Sequence, residues 1–131
     1  MRLRFLDFDH SEDTDGHGTF EAMATVGPAH WPDLQAEVVQ VLDWAQRAFP
    51  GGPAPLDEGG DWDCQLDGQE ETVQALALER AGTGLSVRPQ GPAQCRHTLT
   101  LTLSGPPAFV EAFREGVLED GAPELPRRGR R

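Results

Sequence analysis

The clearest pattern of hydrophobic and polar positions runs from His97 to Val117, HTLTLTLSGPPAFVEAFREGV. Leu99, Leu101 and Leu103 alternate with Thr98, Thr100 and Thr102. That period of two predicts a strand with one buried face. Ser104-Gly105-Pro106-Pro107 ends it and opens a helix, where Ser or Gly suits the cap and Pro the first turn. Phe109, Val110, Phe113 and Val117 then share one helical face. A leucine face and a phenylalanine face joined by a few residues are expected to fold onto each other.

Upstream, Arg2 to Asp9 reads as a first strand of irregular phase, because Leu3 and Phe5 point one way and Leu6 and Phe8 the other. The polar run from His10 to Gly18 is a turn by composition, and Thr19 to Val26 a second strand. The spacing of Leu34, Val38, Val41, Leu42, Ala45 and Phe49 predicts a helix from about Pro32 to Phe49, with Trp44 outside its stripe. PGGPAPLDEGG, Pro50 to Gly60, is a long connection. Further strands are expected over Asp61–Leu66, with Trp62, Cys64 and Leu66 inward, over Val73–Arg80, and over Leu85–Arg88, with Leu85 and Val87 inward. Asp67-Gly68 reads as a turn. The last helix should end near Asp120, with Gly121 as its C′ residue.

The order ββαββββα predicts an α+β fold: a two-layer, mostly antiparallel sheet of five or six strands with two helices on one face. We expect one domain over residues 1–121. The segment 122–131 lacks an apolar period and should be a disordered, arginine-rich tail.

Composition narrows the chemistry. The chain has 131 residues and a net charge of −11. Four of the 11 arginines lie in the last five residues, so the rest of the chain is more acidic still. Such a body repels nucleic acid and anionic membranes, and neither is expected as a partner. The chain holds no Lys, Asn, Ile or Tyr, as a GC-rich bacterial genome would favour. Without lysine there is neither a Schiff base nor a P-loop. No apolar run approaches a bilayer span and the N-terminus lacks a signal-peptide core, so a cytoplasmic location is expected. Two cysteines are too few for a disulfide framework.

Two stretches could carry a site. Ser11-x-Asp13-x-Asp15-Gly16 resembles the opening of a calcium loop, but Ala22 falls where a bidentate Glu is required. Turn chemistry explains its acids more simply. The loop Leu56 to Asp63 holds four carboxylates, two glycines and a Trp beside a strand. Asp9, His10, Asp57, Glu58, Asp61 and Asp63 are therefore the candidate ligand-binding residues. Cys95 and His97 share a strand face and with Cys64 would make part of a zinc set, with the fourth ligand lacking. We assign no metal site, no catalytic residue and no cofactor at this stage.

The expected function is a small binding or interaction module, with Trp44, Thr98, Thr100 and Thr102 as candidate contact surface. Its partner would be another protein, a small molecule or a second copy of the chain. The alternative is a metal-dependent or carboxylate-based hydrolase using acids of the 9–17 tip and the 57–63 loop.

Overall fold

The structure is a computed structural model and describes residues 1–119. The tail over 122–131 and the cap at Gly121 lie outside the described residues. In chain order the elements are β1 (Asp9–Glu12), β2 (Gly18–Val26), α1 (Trp31–Ala48), β3 (Asp63–Val73), β4 (Leu76–Ala81), β5 (Gly84–Pro89), β6 (Gln94–Gly105) and α2 (Pro107–Phe113). A π-helical turn, Arg114–Leu118, continues α2. The fold is α+β with antiparallel pairing throughout, in the expected order ββαββββα.

β6 is the centre of a four-stranded sheet ordered β1-β2-β6-β3. Phe20 pairs with Leu103 and Ala22 with Leu101, so these side chains share one face. All four are buried, beneath Leu34, Val38, Val41 and Ala45 of α1 and Phe109, Val110 and Phe113 of α2. The other face carries the threonines, where Thr25 and Thr98 are hydrogen-bonded at 2.8 Å and Thr19 and Ser104 at 3.2 Å. Beyond Phe113 the backbone widens into the π turn, closed by the Glu119 N–H on Arg114 O at 2.9 Å. Gly116 lies there because the Trp44 ring covers it: a Cβ would come within 2.8 Å of the indole.

The six strands do not form one sheet. β3 and β6 pair as far as Val73 and Gln94, and pairing resumes at Leu76 with Pro89 as a separate two-stranded hairpin, β4–β5. At the junction the four residues 90–93 of the returning strand face only Gln74 and Ala75, and the ladder breaks. The Gln74 amide fills the break, donating to the carbonyls of Ala75 and Gly91 at 3.0 Å each. Asp67 and Gly68, read as a turn, are mid-strand in β3, because β6 is long enough to pair straight through them.

The N-terminus also differs. Residues 1–8 are not a strand, and β1 occupies positions expected to be turn. The irregular phase of Leu3, Phe5, Leu6 and Phe8 has a physical cause. The segment runs over the helices, and one side chain binds its backbone at three successive residues. The Glu37 carboxylate of α1 accepts the N–H groups of Arg4, Phe5 and Leu6 at 2.7, 2.9 and 2.7 Å. Leu6 is buried, and Phe8 meets Phe113 edge-on at 5.2 Å.

Candidate functional site

The acidic hairpin tip is built around its own backbone. Asp13 accepts the N–H groups of Asp15 and His17, each at 2.9 Å, and its own N–H donates to His17 O. This is turn chemistry. Replacing Asp13 with Ala should cost about 1 kcal/mol and Asp13→Asn much less, because Asn keeps the acceptor. Thermal melts of both variants check this; equal melting for Asp13→Ala and wild type would contradict it.

His10 is tied to the core rather than presented to a ligand. Its ring stacks on Phe20 at 4.4 Å, and its Nε2 lies 3.3 Å from the Glu12 carboxylate. Arg114 donates to Glu12 at 3.0 Å and to His10 Nδ1 at 3.4 Å, joining β1 to the π turn. Asp9 sits opposite Glu21 across the β1–β2 ladder.

The long connection before β3 is wrapped around Trp62. That indole is buried, stacks on Phe109 at 5.9 Å and donates to Phe49 O at 2.8 Å. The loop backbone closes on itself: Ala54 N–H bonds Trp62 O, and Gly60 N–H bonds Pro55 O. The Asp61 carboxylate lies directly over Gly51, in the space a side chain there would take. Gly52 and Gly60 thus serve close packing, against Trp62 and the Ala54 backbone, whereas Gly59 supplies a left-handed turn at φ 91°. Leu56-Asp57-Glu58 is a 3₁₀ turn.

Two clefts open at this end of the sheet. One, of about 550 Å³, is lined by Pro55, Leu56, Asp57, Asp63, Cys64 and Ser104 among others. The other, of about 460 Å³, is lined by Glu12, Asp13, His17, Leu56 and Ser104 among others. The structure therefore brings both acidic stretches to one region, with Leu56 and Ser104 between them. Of the six candidate residues, Asp57 and Asp63 line a cleft together, whereas Asp9, His10, Glu58 and Asp61 line neither. Asp63 also accepts the N–H of Cys64 at 2.8 Å. Burial, with the Asp63 charge beside it, pushes the Cys64 thiol up from its usual range. It is held as a thiol, a poor nucleophile.

Trp44 is half-buried, its ring packed against Phe109 and Phe113 at 6.3 and 5.7 Å. Thr98, Thr100 and Thr102 lie on the sheet face away from the helices, half-buried between neighbouring strands.

Two features go beyond the sequence reading, the second by joining Glu70, rather than Cys64, to Cys95 and His97. The first is the β4–β5 arm. Leu78 pairs with Val87, and Leu76 and Leu85 lie on the same face by alternation. These residues are 60%, 55%, 51% and 64% exposed, so no layer of the described chain covers that face. The second is at the arm's base. Glu70 pairs across the ladder with His97, and Cys95 lies two residues from His97 on the same face. One ligand atom from each of the three comes within 4.8 Å of the others.

Among the described residues no helix is long and apolar enough to cross a membrane. No protein-family model matches the chain, and neither a curated protein nor a solved structure is similar to it.

Proposed function

We propose that the chain is an interaction module whose β4–β5 arm docks against the same arm of a second copy. The reading rests on one observation, the continuous exposed face of Leu76, Leu78, Leu85 and Val87 on a hairpin outside the main sheet. An isolated two-stranded hairpin is marginal in water, and exposed apolar patches of more than a few hundred Å² are uncommon on monomers. A face packed on this arm would supply the missing layer.

Charge favours a second copy as the occupant. Residues 70–97 hold three acids (Glu70, Glu71, Glu79) and three arginines (Arg80, Arg88, Arg96), so the net charge of −11 lies entirely elsewhere in the chain. Two arms can meet without the repulsion that two acidic bodies exert. A flat apolar ribbon is also self-complementary about a two-fold axis, as an isologous contact requires. The acids of the two clefts are dispersed or engaged with local backbone, which gives the hydrolase alternative no comparable support.

Sedimentation velocity over a wide micromolar range tests this. Wild type should pass from monomer to dimer as concentration rises. Leu78→Glu combined with Val87→Glu should remain monomeric and keep the main-sheet and helix signal in circular dichroism, since both positions lie outside the core; the two opposed carboxylates lower the melting midpoint. A wild type that stays monomeric throughout, or a double variant that still dimerises, would overturn the proposal.

A further inference from the structure

The sheet does more at the base of the arm than pair two strands. His97 is flanked on both sides. Its ring lies on the indole of Trp31, the first residue of α1, with centroids 4.6 Å apart and planes 11° apart. Its Nε2 meets the Glu70 carboxylate at 3.0 Å. Its Nδ1 is buried with no hydrogen-bond partner among the described residues, so Glu70 is the imidazole's only polar contact there. The stacked indole fixes the ring plane. Cys95 adds a free thiol on the same face, two pairs further along the ladder, opposite Thr72.

We propose that Glu70, Cys95 and His97 form a zinc(II) site. Thiolate, imidazole and carboxylate together are a borderline-soft donor set that zinc takes readily, whereas calcium and magnesium require oxygen ligands. Zinc holds its ligands at about 2.0–2.3 Å. Donor atoms within 4.8 Å of one another therefore need only a small closure, which the exposed Glu70 side chain supplies by rotation. On binding, zinc takes the Cys95 thiolate, and the thiol proton passes to solvent. The Glu70–His97 contact is replaced by two bonds to one ion. Three protein ligands leave a fourth position for water or for a donor from another molecule. The ion would tie β3 to β6 where the body of the sheet ends and the arm begins. Cys64, the other thiol, lies opposite Leu103 near the far end of the β3–β6 ladder and takes no part. The site does not depend on arm-to-arm docking.

Cobalt(II) titration under reducing conditions tests the proposal, because thiolate–cobalt coordination gives a near-ultraviolet charge-transfer band. The full-length protein should show that band, saturate at one equivalent and lose it to added zinc. Cys95→Ser should abolish the band and Cys64→Ser should retain it. His97→Ala should weaken zinc binding by about tenfold or more. Circular dichroism of each variant separates lost ligation from lost folding. No band in wild type, or a band that survives Cys95→Ser and disappears in Cys64→Ser, would overturn the assignment.

Discussion

Truncation of Phe113 to alanine is expected to destabilise the protein by about 3–5 kcal/mol, the usual range for a fully buried phenylalanine. Its ring is completely buried at the meeting point of three elements. It stacks on Phe20 of β2 at 4.2 Å and meets Phe8 at 5.2 Å, Trp44 of α1 at 5.7 Å and Phe109 at 5.8 Å. Native domains have about 5–15 kcal/mol in total, so the urea midpoint should fall sharply. An unchanged midpoint would show that α2 does not dock on the sheet through this face.

Glu37→Ala is expected to cost about 3 kcal/mol or more. A buried carboxylate that accepts several N–H groups cannot be removed without leaving those donors unpaired. Here three consecutive donors, those of Arg4, Phe5 and Leu6, depend on it. Glu37→Gln keeps the length and one carbonyl acceptor, so its loss should be intermediate. The two variants should also differ from wild type in the N-terminal eight residues specifically. Limited proteolysis should release that segment from Glu37→Ala before the sheet unfolds. Equal protection and equal urea midpoints in wild type and Glu37→Ala would show that the segment is held by its apolar side chains alone.

Much of the fold was legible because hydrophobic period reports burial directly. The stripe Leu34, Val38, Val41, Ala45 marked α1, and the alternation of Leu99, Leu101 and Leu103 marked β6. The same signal misled where alternation exists without a covering layer. Leu85 and Val87 alternate as well as any buried pair, yet both are exposed, because nothing in a local pattern says whether a second layer arrives. Leu66 shares its face with buried Leu101 but lies on the edge strand and is 49% exposed. The first eight residues failed for another reason. Three of their N–H groups, those of Arg4, Phe5 and Leu6, are satisfied by Glu37, about thirty residues away, and no local pattern encodes a side chain acting as a sheet edge.

The candidate chemistry followed the same division. Asp13 was legible as a turn residue because its partners are two and four residues away. The grouping of Glu70 with Cys95 and His97 depends on the register of β3 against β6, which is set across some 25 residues of intervening arm. Composition alone could suggest Cys95 and His97 but not the third donor. The acids at 57–63 were conspicuous by number. Their local roles, Asp63 on the Cys64 N–H and Asp61 against Gly51, emerge only from the path of the loop.

Hydrogen–deuterium exchange across a dilution series tests the function most directly, because it reports on the arm itself. If two arms dock, amides of Leu76–Ala81 and Gly84–Pro89 should exchange more slowly as protein concentration rises. Those of β1 and α1 should not change, and Leu78→Glu with Val87→Glu should remove the dependence. Arm amides that exchange at the same rate at every concentration would contradict self-association through this face.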